Sequence, residues 1–510
     1  MGIPSYYKKL SEKIKGLVSK SRPGNITSLF FDFNCLIYHC ARRPNSTLPP
    51  YPGEDRKEEW EDLLIEDIAK YVQHVWHEAG QPPHVFLSID GVVPMAKIKQ
   101  QRLRRFKSIW LHQQESTGEP TWDTNCITPS TAFMKRLSKR LDRLSKGHKG
   151  WELSNDYQPG EGEHKIMHYL RTHPDIKGPL FVYGLDADLI LLTMLNSPVE
   201  TYLMREDSEM GVVELNVLGE ESFSYFSLEV LKETLWHGKK VEYMDVLEYV
   251  TAMSLLGNDF IPHSLSVKIR DDGHKFLVNE LKALLETGQR FVTKEGNFWK
   301  INYKAVEWLF KRWSAVEEDK LLHSFKRKIQ MRGNTQITLE SLPLQSPVEF
   351  EVVKSENREW SLKQGWETIY REKWLFCHDV EDLERCCREY LMGLQWVLDY
   401  YTGQKQVDMT WFYPRLIPPL WRDLHMYLEL GKPVPEPTES SVAPIQPEEQ
   451  LAMVLPLESW HHISTSSPLR SIPGKYPQYW PSKFDLFTAG RVWTWESEPM
   501  LPVLPVQMLR

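Results

Sequence analysis

Short, nearly unbroken apolar runs alternate with longer stretches of helical spacing through the first half of the chain. Four runs, "SLFFDFNCLIYH" (28–39), "HVFLSID" (84–90), "LFVYGLDADLI" (180–190) and "TYLMRED" (201–207), are bounded by turn-forming residues and are too short for core helices. They predict buried strands. Between them, residues 60–78, 95–113, 129–146 and 162–172 carry apolar side chains three and four apart, which predicts helices. Regular strand–helix alternation implies an α/β fold, a mostly parallel sheet flanked by helices on both faces, running to about residue 285.

The pattern changes beyond that point. Residues 286–360 predict a connecting region, with a charged helix near 303–330 and then the polar stretch "MRGNTQITLESLPLQSPVEF". From residue 361 a Trp- and Tyr-rich, mainly helical region follows, with "KQGWETIYREKW", "YLMGLQWVLDYYTG" and "TWFYPRLIPPLW", packed against the α/β unit. Within it "GKPVPEPTESSVAPIQP" predicts a Pro-rich linker, extended and poor in packing residues. The expected units are 1–285, 286–360 and 361–510, and 510 residues exceed what one compact core organises.

Composition narrows the class. With 41% hydrophobic and 26% charged residues, and no run of ~18 apolar residues able to span a bilayer, the chain is of the soluble globular type. Its first residues, "MGIPSYYKKLSEKIKG", lack the apolar core of a secretory signal, and Ser5 falls one place before the position that a myristoylation motif requires. Cys35, Cys40, Cys126, Cys377, Cys386 and Cys387 form no C-x-x-C pair and no zinc spacing. They predict core thiols in a reducing compartment, the cytoplasm or the nucleus. The net charge of −7 argues against a general nucleic-acid coat, yet positive charge gathers at 97–107 and 135–149, between acidic motifs. Such runs are either solvated helix faces or contacts to an anionic substrate.

Seven carboxylates fall at the ends of predicted elements. Asp32 ends "SLFFD" and Asp90 ends "HVFLSID"; Glu161 and Glu163 stand at a helix mouth in "QPGEGEHK". Asp186 and Asp188 follow "LFVYG" and open a helix, and Asp259 lies in "SLLGNDF" after another. Open parallel sheets bind ligands beyond the carboxyl ends of their strands, so one rim can collect all seven. Singly, each acid is by default a turn residue or helix N-cap. Together they repel one another and require a compensating cation. Two Mg²⁺ ions ~3.5–4 Å apart would neutralise them, with Mn²⁺ able to substitute, because the donors are all oxygen.

A second feature lies between Asp90 and the glutamate pair. Lys97, Gln101, Arg104 and Arg105 are spaced i, i+4, i+7 and i+8 and share one helical face. That face offers charge-assisted, forked donors suited to a phosphate. Carboxylates with metals beside a phosphate cradle imply phosphodiester hydrolysis.

These blocks resemble the Xrn family of 5′→3′ exoribonucleases, within the wider PIN and flap-nuclease superfamily. The likeness rests on "MGIPSYY", "FDFNCLIYH", "SIDGVVPMAKIKQQRLRRFK", "NCITPSTAFM", "PGEGEHKIM", "GLDADLI" and "LLGNDFIPH". Later blocks, "KQGW…YREKW", "GLQWVLDYYTG", "TWFYPRLIPP" and "IQPEEQLAMVLP", resemble the family's second conserved region. The likeness covers most of the chain outside 286–360 and 431–443. It implies a PIN/flap-nuclease-like fold and the hydrolysis of single-stranded RNA with a 5′-monophosphate to 5′-mononucleotides. It also implies Mg²⁺ held by Asp32, Asp90, Glu161, Glu163, Asp186, Asp188 and Asp259, and a terminal phosphate held by Lys97, Gln101, Arg104 and Arg105.

By the same resemblance Asn34, Tyr38, His39 and Trp411 lie about the phosphate and the first base. The family usually has histidine where this chain has Tyr38, with His39 following, and tyrosine retains the capacity to stack. Trp411, in "TWFYP", would stack on the first base. The stretch after Lys107 is shorter than the insertion common in cellular members, which suggests a compact form of the virus-encoded or pared-down kind. The expectation is a monomer engaged in RNA decay in the cytoplasm, away from membranes, with decapping or decay factors as partner candidates. Two alternatives stand beside it. A DNA flap endonuclease would share the acids but usually follows "LLGNDY" with a Gly-x-Gly hairpin, where this chain has "GNDFIPHSLSVKIRDDGHK". An inactive RNA-binding scaffold would not need all seven acids.

Overall fold

The computed structural model describes residues 5–510 apart from 44–45, 116–117, 119, 185, 210–211, 216–220, 347–351, 356–358 and 438–442. The Met-Gly start and the middle of the Pro-rich segment therefore lie outside the described residues. At the centre is a seven-stranded sheet. Its strands are β1 (Val18–Ser19), β2 (Ser28–Asp32), β3 (His84–Ser88), β4 (Trp151–Ser154), β5 (Leu180–Tyr183), β6 (Thr201–Glu206) and β7 (Phe223–Ser227). They lie in the order β1-β7-β6-β5-β2-β3-β4. β6, β5, β2, β3 and β4 run parallel, and β7 and β1 add an antiparallel edge. The five parallel strands point their carboxyl ends to one rim.

The predicted helices are present with small shifts at their ends. They are α2 (Lys57–Glu78), α3 (Met95–Glu115), α4 (Ala132–Lys146) and α5 (Gly162–Thr172), joined by α1 (Phe33–Arg42) before them and by α6 (Ala187–Asn196), the helix that Asp186 and Asp188 open. The run 28–39, expected to be all strand, instead breaks at Asp32 and continues as α1. Alternation along β2 explains the two-faced core. Leu29 and Phe31 pack with α1, α2 and α4 on one face, while Phe30 packs with α5 and α6 on the other. Asp32, at the end of the strand, belongs to neither apolar face.

The basic runs divide between two structural roles. Arg136 on α4 pairs with Glu61 of α2, and Arg140 pairs with Glu66, so the 135–149 run binds helix to helix. On α3 three cations are spent on carbonyl groups of the second region. Lys99 Nζ donates to Tyr413 and Arg415 at 2.7 and 2.8 Å. Arg102 donates to Met453 at 2.7 Å and also to Tyr479. Lys107 reaches Ser497 at 2.6 Å and Trp495 at 3.1 Å. Ile98 and Phe106 join the same interface, in a core shared with Leu451–Leu455, Trp460 and Leu504.

The region after 285 is bound into this body. α7 (Tyr243–Met253) closes the α/β unit, and α8 (Tyr303–Asn334) runs along α10 (Trp421–Glu429), which in turn packs on α9 (Val380–Thr402). Trp313 of α8 and Trp421 of α10 are fully buried, ring centroids 4.8 Å apart at 88°. Glu317 accepts from the backbone N–H groups of Trp421 and Arg422 at 3.0 and 3.2 Å, capping the exposed donors that open α10. The Pro-rich segment is extended where it is described, but it is tied down: Glu436 pairs with Lys300 and Lys405, and Ile445 is buried. One apolar core runs from Tyr6 to Ala489. Trp313→Ala should cost about 3–5 kcal/mol through the cavity it leaves. Denaturant unfolding followed by tryptophan fluorescence and far-UV dichroism should shift by the same amount in both signals, whereas a shift in one alone would show that α8 does not join the two regions.

Candidate metal centre

Each of the seven acids stands where an element ends on the common rim. Asp32 closes β2 and occupies the N-cap of α1, and Asp90 lies two residues beyond β3. Glu161 is the N-cap of α5 and Glu163 lies in its first turn; Asp186 and Asp188 hold the same two places on α6. Asp259 follows α7 and a short 3₁₀ turn at Ser254–Leu256. None of the N-cap acids Asp32, Glu161 and Asp186 spends its side chain on the cap. Their carboxylates are therefore free of the ordinary duty of such positions. Helix N-termini favour negative charge at these places.

Backbone proximity fixes the group. Asp90 Oδ1 accepts from Gly162 N at 2.6 Å, and Asp90 Oδ2 accepts from the Asn34 amide at 2.9 Å. A Cβ on Gly162 would lie 2.8 Å from the Ser88 carbonyl and 2.9 Å from Asp32 Oδ1, so only glycine lets α5 approach the two aspartates. Asn34, expected near the substrate, is instead held on Asp90, and Asp90 N donates back to it at 3.2 Å. It orients a carboxylate.

The acids are crowded and mostly buried. Asp32, Glu161, Glu163, Asp188 and Asp259 are all less than a tenth exposed. Burial, then Asp90 and Asp186, push Asp32 well above the usual carboxylate range. Burial does the same to Glu163, with Glu161, Asp32 and Asp188 adding repulsion. Asp188 is pushed up to about 8 by burial and by Asp259. Lys97 opposes this from the middle of the group, with Nζ 2.5 Å from Glu161 Oε2 and 2.6 Å from Asp259 Oδ2. Burial would raise Asp259 too, but Lys97 overrides it and holds that acid below its ordinary range. Among the described residues Lys97 is the ammonium paired with these acids, and seven carboxylates still leave a large negative excess. Asp188 Oδ1 is buried with no hydrogen-bond partner among the described residues. A strongly anionic, oxygen-rich site with an orphaned carboxylate oxygen, with His164 beside Glu161 and Glu163, fits a hard divalent cation.

The remaining predicted residues separate into those beside this group and those elsewhere. Gln101 is buried, and its Oε1 has no partner among the described residues. Arg105 is buried; its guanidinium donates to the carbonyls of Asn125 and Ile127 at 3.4 and 3.3 Å, and burial lowers it to about 10. Half-buried Tyr38 and Arg104 both act on Arg105, and Arg104 also acts on Asp259. Tyr38, Arg104 and Arg105 thus lie within electrostatic range of one another, and Arg104 within range of Asp259. Lys97, assigned to the phosphate by resemblance, is paired with the acids. His39 takes other partners: its Nε2 lies 2.6 Å from Glu221 Oε2, and its ring sits beside Tyr71. A helix separates neighbouring side chains by about 100°, which sends Tyr38 and His39 in different directions. Trp411 is buried and stacked on Trp396 at 5.0 Å and 29°.

Tyr400 was not singled out from the sequence. Its hydroxyl donates to Glu161 Oε1 at 3.0 Å, and its ring lies 3.9 Å from that of His164. No spacing in "GLQWVLDYY" marks it, because its partner is 239 residues away.

Two family models match the chain. "XRN 5'-3' exonuclease N-terminus" covers residues 1–207, and "Xrn1 helical domain" covers 353–509, together more than two thirds of the chain. The sequence is 25% identical over 603 residues to "5'-3' exoribonuclease 1" of Homo sapiens, covering 100% of this chain and 34% of that protein. It is also 25% identical over 652 residues to "5'-3' exoribonuclease 1" of Schizosaccharomyces pombe, covering 99% of this chain and 48% of that one. The chain therefore spans about a third to a half of the length of these relatives. A solved structure, "The catalytic core of Rad2 in complex with DNA substrate", aligns over 85% of this chain and 96% of its own at 12% identity, with a TM-score of 0.31 too low to bear on the site.

The strained acids make stability depend on pH. Asp188 moves from an ordinary 3.8 to about 8 on folding. Between those values the folded chain keeps a proton that the unfolded chain has lost, so this stability is full below about pH 4 and drains as pH rises toward 8. Without divalent cations, the melting temperature should fall from about pH 5 to about pH 8, and Mg²⁺ or Mn²⁺ at about 5 mM should restore it at the upper end. Asp188→Asn should weaken both effects. A metal-free melting temperature that is flat with pH, and equal with and without metal, would show that the acids are not crowded as described.

Proposed function

The chain belongs to the XRN family of 5′-3′ exonucleases, and from that membership we propose that it is a Mg²⁺-dependent 5′→3′ exoribonuclease. It acts on single-stranded RNA with a 5′-monophosphate and releases 5′-mononucleotides. The observation that carries this reading is the gathering of seven carboxylates around Lys97, directly beside the helix face of Gln101, Arg104 and Arg105. A site for metal and a site for a terminal phosphate then adjoin on one helix. Such adjacency suits removal of one nucleotide at a time from a held 5′ end.

Asp32, Asp90, Glu161, Glu163, Asp186, Asp188 and Asp259 would hold divalent cations. When bound, such a pair supplies an activated water and stabilises charge on the phosphate in flight. The chain's own residues do the rest. Asn34 and Gly162 N keep Asp90 in place. Gln101, Arg104 and Arg105 present donors to the terminal phosphate, and Arg105 is braced by the carbonyls of Asn125 and Ile127. Tyr38 offers an aromatic face beside the first nucleotide, in keeping with stacking as the sequence-tolerant way to hold a single strand. Trp411 serves this role only through the edge left uncovered by Trp396.

End-labelled RNA with a 5′-monophosphate, 5′-hydroxyl, 5′-triphosphate or cap tests the phosphate site. The monophosphate should be preferred by at least about a hundredfold, equivalent to roughly 2.7 kcal/mol, because a hydroxyl leaves buried donors unpaired. Arg104→Ala should erase most of that preference by slowing only the phosphorylated substrate. Equal rates on all four ends would sink the assignment. Asp186→Ala should abolish hydrolysis, with RNA binding largely kept, as its charge acts mainly on the transition state. Mononucleotides should be the product from the earliest times; early long fragments would point to endonucleolytic cutting.

A further inference from the structure

We infer that Tyr400 is a positioning residue for the metal centre: its hydroxyl holds Oε1 of Glu161 and so sets the rotamer in which that carboxylate meets a divalent cation. This rests on the metal-dependent reading above and assigns a new part of that site to the second region. The geometry has three components. Glu161 is 2% exposed, its Oε1 accepts from Tyr400 at 3.0 Å and its Oε2 faces Lys97 Nζ at 2.5 Å. The two oxygens therefore have separate partners.

The phenol is clamped on both sides. The His164 ring lies 3.9 Å away on one side, tilted by 32°, and Trp396 stacks at 5.0 Å and 27° on the other. Trp396 is in turn stacked on Trp411 at 5.0 Å and 29°, and its indole N–H donates to the Asp408 carbonyl at 2.8 Å. The ring of Tyr400 is thus fixed at the centre of a four-membered aromatic column, and its hydroxyl direction follows. A carboxylate with one oxygen held this way keeps the same rotamer whether or not a cation is bound. Hydrogen bonds to ligating carboxylates from outside the metal's own shell normally change metal affinity 10–100-fold when removed.

Tyr400→Phe removes the hydroxyl and keeps the column. The test uses the full chain without RNA, and Mn²⁺ binding is followed by the paramagnetic resonance of the free ion. Mn²⁺ affinity should fall about tenfold in Tyr400→Phe, near the lower limit for such a contact. The Mg²⁺ concentration that half-saturates hydrolysis of 5′-monophosphate RNA should rise by a similar factor. The half-saturating RNA concentration at high Mg²⁺ should stay near that of the unaltered chain, which a general loosening of the second region would not allow. Equal Mn²⁺ affinities in the two proteins would overturn the role of Tyr400 and leave the nuclease reading intact. If the unaltered chain bound no Mn²⁺ and cut RNA in EDTA, both would fall together.

Discussion

Everything at the rim depends on the cost of bringing like charges together out of water. Five of the seven acids are almost fully buried, and charge of one sign at such density is tolerated only with a counter-charge within a few ångströms. Among the described residues Lys97 is paired directly with two of them, and seven carboxylates leave a negative excess for what binds there. The parallel sheet makes the crowding geometrically simple, since strand ends converge on one edge. Glycine 162 makes it close, because the helix carrying two of the acids can touch the strands carrying two others. A side chain there would hold α5 off and dilute the field.

Helix α3 turns this local problem into a property of the whole molecule. Its residues divide in allegiance: Lys97 pairs with Asp259 and Arg105 donates to carbonyls of Asn125 and Ile127, whereas Lys99, Arg102 and Lys107 grip carbonyl groups of the second region. The eleven residues from Lys97 to Lys107 thus serve both as a wall of the site and as the axle on which the two regions meet. The aromatic column adds a second link, from Trp411 through Trp396 and Tyr400 to Glu161.

The sheet and the acids were legible because their signals are local. An apolar run with an acid at its end reports both a strand and its rim position, so Asp32, Asp90, Asp186 and Asp188 could be placed by order alone. What escaped were relations between distant segments. The antiparallel edge formed by β7 and β1 was unread because the pairing partner of Phe226, Val18, lies more than two hundred residues earlier. The cations of α3 looked like one patch, although their partners split them into opposite duties. His39 was grouped with Tyr38 by adjacency, and helical geometry sends it to Glu221 instead. Asn34 was read as facing substrate, since nothing in its neighbours shows that Asp90 claims its amide. The Pro-rich segment was read as an extended linker poor in packing residues, because the anchors Lys300 and Lys405 are remote in sequence.

The three carbonyl-gripping cations carry a consequence for inheritance. Each lies on the helix that also sends Lys97 into the acidic rim, so an apolar residue in its place would leave carbonyl groups of the second region without their donor. A gene fragment holding only the α/β half would encode a helix with Lys99, Arg102 and Lys107 set against nothing, along with the apolar face formed by Ile98 and Phe106. Recombination that separated the two halves would therefore yield a product that tends to aggregate. The two regions are bound to travel, and to vary, as a pair.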